Sequence, residues 1–149
     1  MITIILLSLL GTVIAIVVGT IWYMPSTPMG KLHMQYLGFD KLSPEEQQRK
    51  IEAAKPTMPK IYAGQMLLSF ITALAVVFIV TMSMQNGVPA GMAIGFVLVN
   101  WLCFMVPVVG SSILWGNVDR AIAWPKFFSE IFCNLTTVLL IAVVASLFV

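Results

Sequence analysis

Polar residues are unevenly spread along this chain and separate four long apolar runs, at residues 2–24, 61–84, 89–115 and 127–149. A helix of about 20 apolar residues crosses the hydrocarbon core of a bilayer, and each run reaches that length. The pattern predicts an all-α polytopic membrane protein, a four-transmembrane-helix bundle that forms a single membrane domain over 1–149. The first run invites confusion with a secretory leader, which needs a basic start, a shorter apolar core and a small-residue cleavage site. Here MITIILLSLL is apolar at once and Trp22-Tyr23-Met24-Pro25 is a poor place to cut, so a retained span is expected.

The connection 25–60 holds most of the remaining polarity. GKLHMQYLGF (30–39) suits a segment lying at the headgroup boundary. SPEEQQRKIEAAK (43–55) reads as a short, capped, amphipathic helix on the cytoplasmic side. Ser43 is its cap, Pro44 takes the first helical position, and Glu46 completes a capping box. Glu45–Arg49 and Glu46–Lys50 are expected as i,i+4 pairs. Pro56 and Pro59 end this helix before the second span, and Asn86-Gly87 marks a tight turn between spans two and three.

Composition supports the same reading. Of 149 residues 60% are hydrophobic and 9% charged, whereas soluble domains carry about a quarter charged residues. A net charge of +2 is too small to imply a nucleic-acid partner. The placement of charge says more than its sum. Lys31, Lys41, Arg49, Lys50, Lys55 and Lys60 lie between spans one and two, and Arg120 and Lys126 between spans three and four. With four spans these two connections share a side, and basic connections stay cytoplasmic. The expected topology is therefore multi-pass in the cell (inner or plasma) membrane, with connections 25–60 and 116–126 cytoplasmic and both termini outside.

Polar residues inside a span are costly and mark what a helix face does. On a wheel of about 100° per residue, Tyr62, Gln65, Ser69 and Thr72 share a stripe of span two. Asn100, Phe104, Pro107 and Ser111 share a face of span three, with Trp115 nearby. Glu130, Asn134 and Thr137 align on span four. Given the expected topology, these stripes converge in the cytoplasmic half, where Trp22 and Tyr23 close span one. A polar vestibule is expected there, with Trp22, Tyr23, Tyr62, Gln65, Ser69, Asn100, Pro107, Ser111, Trp115, Glu130 and Asn134 as its candidate ligand-binding residues. Each has a structural alternative. Trp22 and Tyr23 have the amphipathic rings that anchor helices at an interface. Pro107 withholds an N–H from the Cys103 carbonyl and opens its helix, a kink that neighbouring helices can satisfy. Glu130 stands four residues after Lys126, at a depth that suits an interfacial pair, with a functional carboxylate as the other reading. Asp119 and Arg120 could gate the vestibule or pair with each other.

Gly11, Ala15 and Gly19 form a small-residue ridge on span one, repeated by Gly91 and Gly95 on span three. Such ridges let helices approach closely, here within the bundle or at an oligomer seam. Cys103 and Cys133 are expected as buried free thiols. His33 is the sole histidine, so neither a His-rich metal site nor a Ser-His-Asp arrangement can be assembled. No catalytic constellation, metal site or cofactor is implied.

The stretch GTIWYMPSTPMGKLHMQ (19–35) resembles the amino-terminal signature of domain-of-unknown-function family 1761. Tyr62, opening the second span, and NWLCFMVPVVGSSILWGN (100–117) continue the likeness. The chain departs from the usual pattern in having Cys103 where glycine is common and His33 where tryptophan is common, and it lacks a His-Leu pair in the last span. The resemblance implies a four-span membrane protein and assigns no activity. The expected function is binding of a lipid, a small amphiphile or a partner subunit from the cytosolic side, with membrane lipids as partners. The alternatives are a transporter or channel acting as a homo-oligomer, with Gly11–Ala15–Gly19 as its seam, and a structural accessory subunit docked on a membrane-protein partner.

Overall fold

The computed structural model describes residues 1–116 and 118–149; Asn117, the last residue of the second family-like motif, lies outside the described residues. The chain forms α1 (Ile2–Trp22), α2 (Pro28–Tyr36), a 3-10 turn (Phe39–Lys41), α3 (Pro44–Ala54), α4 (Met58–Gln85), α5 (Ala90–Asn100), a π-turn (Trp101–Met105), α6 (Val106–Leu114) and α7 (Arg120–Leu147). Four helical segments are long and apolar enough to cross a membrane: Ile2–Trp22, Met58–Gln85, Ala90–Ile113 and Arg120–Leu147. The protein is all-α, a four-span membrane bundle, with no strand among the described residues.

Local chemistry sets the element ends. The α3 cap is the expected box: Ser43 Oγ accepts from Glu46 N, and Ser43 N donates to Glu46 Oε2 at 2.8 Å. The α4–α5 turn is a Schellman closure, with Gly87 N donating to Met84 O and Val88 N to Ser83 O. That closure needs the left-handed conformation of Gly87, at φ +80°, which glycine adopts without penalty.

Helix α7 packs against α1, α2, α4, α5 and α6, whereas the third span rests on α4 and α7. The core is gathered toward the end opposite the basic connections. Val76, Val77 and Val80 of α4 meet Val97 of α5, Leu7 of α1, and Val138, Ile141 and Ala142 of α7. Buried hydroxyls there turn back on their own helix: Ser8 Oγ donates to Ile4 O at 2.7 Å and Thr12 Oγ1 to Ser8 O at 2.8 Å.

Three expectations are corrected, and the opening expected at Pro107 takes a definite form. The last helix begins at Arg120, not Phe127, and continues through Pro125, because Asp119 caps it by accepting from Ala121 N at 3.0 Å. Pro125 sits close enough to that capped end that only one early ladder bond is lost. The pairs Glu45–Arg49 and Glu46–Lys50 do not close; the Glu46 carboxylate is held by the capping box, and Lys50 lies 5.7 Å above the Phe39 ring. Around Pro107 the third span widens into a π-turn, in which Val106 N donates five residues back to Trp101 O. Finally, Cys133 is buried as expected, but Cys103 is exposed.

Candidate functional site

The motif after α1 folds back on α7. Thr27 makes the turn: its Oγ1 donates toward Trp22 O and Met24 O, each at 2.8 Å, and accepts from Gly30 N at 2.9 Å to cap α2. Gly30 is required because a Cβ at that position would collide with the Met24 carbonyl. The turn lays α2 across the first part of α7 and places Tyr23, His33 and Tyr36 around one side chain, Lys126.

Lys126 is 1% exposed. Its Nζ lies 2.8 Å from Glu130 Oε1, one helical turn along α7. The Tyr23 ring centroid is 4.4 Å from the ammonium and that of Tyr36 5.9 Å. A cation over an aromatic face is attracted by the ring quadrupole, more strongly when water is excluded. The Tyr23 ring in turn lies 5.1 Å from that of His33. Trp22 Nε1 donates to Ser129 Oγ at 3.1 Å, locking the end of α1 to α7. Burial, and next the neighbouring Lys126, hold the His33 imidazole below its ordinary 6.5, with Glu130 opposing. His33 Nδ1 is buried without a hydrogen-bond partner among the described residues.

Beside this cluster a cavity of about 370 Å³ opens between α1, α4 and α7. Tyr23, Gln65, Ser69, Glu130 and Asn134 line it, together with Thr72, Cys133 and Thr137. Ala15 and Gly19 form its α1 wall, and an added Cβ at Gly19 would meet nothing within 4 Å. The arrangement places carboxamides, hydroxyls, an aromatic ring and one carboxylate edge in an otherwise apolar cleft. It can hold a polar head with an apolar body.

The remaining sequence candidates fall elsewhere. Trp22 supports the cavity from behind through Ser129. Tyr62 is 62% exposed, on the outer side of α4. Asn100, Pro107, Ser111 and Trp115 are all exposed and none of them lines this cavity, with Trp115 at 91%. Ser111 Oγ donates to its own Val108 O at 3.1 Å. Asn100 lines a separate apolar groove with Trp101 and Phe104. The physical reason is the packing of α5, whose buried positions are Ala93 and Val97. Of the small residues, Gly11 is packed: an added Cβ would come within 2.9 Å of Ala73 Cβ and 3.1 Å of Ile141 Cγ2. Gly91 and Gly95 have nothing within 4 Å.

Sequence reasoning assigned Lys126 to a connection and left it out of the site. Its one-turn spacing from Glu130 was the available signal, and the sequence carried it only as an interfacial pair.

A bundle of four apolar helices with a half-buried ion pair and a polar-lined cleft defines a multi-pass helical membrane protein. The chain belongs to the family described as "Protein of unknown function (DUF1761)", which matches residues 6–146. No curated protein and no solved structure matches it.

Proposed function

We propose that this protein binds a lipid or small amphiphile in the cleft between α1, α4 and α7, entering from the cytosolic side of the cell membrane. One observation carries the reading: Gln65, Ser69, Glu130 and Asn134, from two different spans, face a single cavity of about 370 Å³. Polar side chains inside a membrane bundle are costly unless partnered, and a bound headgroup partners them. The orientation follows from charge. All eight Lys and Arg lie within residues 31–60 and 120–126, toward the end of the bundle where Tyr23 and Lys126 sit, the end that the positive-inside tendency assigns to the cytosol. Both termini then face outward.

The test is mass spectrometry of the full chain released from lipid nanodiscs. A polar amphiphile should stay bound to the native protein at stoichiometric occupancy. Gly19→Leu, which fills the open wall, and Asn134→Leu should both empty the site while leaving helical content unchanged. Equal retention by all three proteins would refute the binding reading. Thiol labelling after Lys41→Cys and Asn86→Cys tests orientation, since the two must be reached from opposite compartments.

A further inference from the structure

Among the described residues, Glu130 is the one charged side chain on the wall of the cleft between α1, α4 and α7. Its partner is not on that wall. Lys126 is 1% exposed, lies against the Tyr23 ring and holds Glu130 Oε1 at 2.8 Å. Glu130 itself keeps 31% of its side chain exposed. The pair therefore stands as a dipole, with its cation sealed in protein and its negative end at the cavity. A carboxylate has about four lone-pair sites, so one ammonium contact leaves it able to accept again.

The uncharged part of the wall has the same bias. Thr72 Oγ1 donates to Leu68 O at 3.0 Å and Thr137 Oγ1 to Cys133 O at 2.9 Å. Both hydroxyl protons are thus spent on their own helix, and lone pairs are what these groups offer a guest. Gln65 and Asn134 add carbonyl oxygens, and their amide N–H groups carry no net charge. No Lys, Arg or His is among the described residues of the wall. An anion placed there would be repelled by Glu130 and would meet no exposed cation, in surroundings that screen charge poorly.

We infer that the head of the bound amphiphile is a protonated amine. This rests on the binding reading of the cleft and adds the sign of the guest. An ammonium has three donors and no acceptor, which suits a wall of acceptors around one carboxylate. Lys126, Glu130 and the guest then alternate in sign, cation, carboxylate, cation. Hydrogen bonds to an ionised group are about twice as strong as neutral ones. Ala15 and Gly19 on α1 bring no polar side chain, and the open space at Gly19 leaves room for an apolar body. Two sources present such a head, a free long-chain amine and an aminophospholipid.

The test is retention of added amphiphiles by the full chain in phosphatidylcholine nanodiscs, read by mass spectrometry. Dodecylamine, dodecanol and dodecyl sulfate share a tail and differ in head charge; the amine is protonated at pH 7, as lysine is. Dodecylamine should be retained about tenfold better than either of the others, the worth of one charge-assisted bond. Lys126→Met combined with Glu130→Gln removes the pair whole and should erase that preference. Gln65→Glu leaves the pair intact, adds a second carboxylate to the wall and should raise the preference. Nanodiscs of phosphatidylethanolamine separate the sources: displacement of dodecylamine there assigns the site to the aminophospholipid, and undiminished retention to the free amine. Native retention of dodecylamine no better than that of dodecanol or dodecyl sulfate overturns this inference alone. So does a preference that survives the double variant or that Gln65→Glu fails to raise. Retention of none of the three amphiphiles overturns the binding reading with it.

Discussion

Lys126 and Asn100 each interrupt an apolar helix, and the bundle treats them in opposite ways. Lys126 is sealed between α1, α2 and α7, with a carboxylate at 2.8 Å and two aromatic rings around its ammonium. Asn100 looks outward and bonds only to its own helix among the described residues. The difference lies in the neighbours. Helix α7 is central, and α2 is folded over its first part; the third span is peripheral. Polarity in a membrane helix thus ends in two different settings, enclosed by packed neighbours or left on an exposed face.

The sharpest way to break this contrast is to remove the buried cation. Lys126→Met should cost about 3 kcal/mol, the low end for breaking a buried pair, because Glu130 keeps about a third of its side chain exposed. Adding Glu130→Leu should recover most of that loss. Thermal or denaturant unfolding in detergent measures both, and a Lys126→Met protein as stable as native would remove the enclosed site. Glycines give the next largest effect. Gly11→Ala should destabilise by about 1–3 kcal/mol through overpacking against Ala73 and Ile141. Gly95→Ala, with open space around it, should stay within about 0.5 kcal/mol of native.

A smaller difference is expected from single hydrogen bonds. Trp22→Phe loses the bond to Ser129 and should cost about 1 kcal/mol, whereas Asn100→Leu should leave the fold of the isolated chain undiminished. The smallest effect is one of pH. His33, facing Tyr23, Lys126 and Glu130, resists protonation in the folded chain through burial first and Lys126 second. The unfolded chain takes up that proton near the ordinary 6.5. The stability His33 contributes is therefore full above 6.5 and declines as pH falls below it. His33→Gln should flatten the stability–pH profile between pH 7 and 5; an unchanged slope would show that His33 is not held neutral by this pocket.

Much of the architecture was legible along the chain, for local reasons. Apolar run length determined the number of spans, and Ser43, Pro44 and Glu46 determined the capped helix. Gly87 determined the turn between spans two and three. Pro107 announced a break in the third span, while the π-turn that accommodates it depends on how Val106 redistributes its hydrogen bond. Gln65, Ser69, Glu130 and Asn134 were legible as stripes and do meet at one cavity.

The sequence by itself determined which residues share a helix face, since that follows from the helical period alone. Only the tertiary structure decided where each face points: Glu130 and Asn134 inward, Asn100 and Ser111 outward. In water, hydrophobicity would have told the two apart. In a bilayer the lipid and the protein interior are equally apolar, so the rotation of each helix is set by its neighbours' shapes and by the few polar groups that find partners.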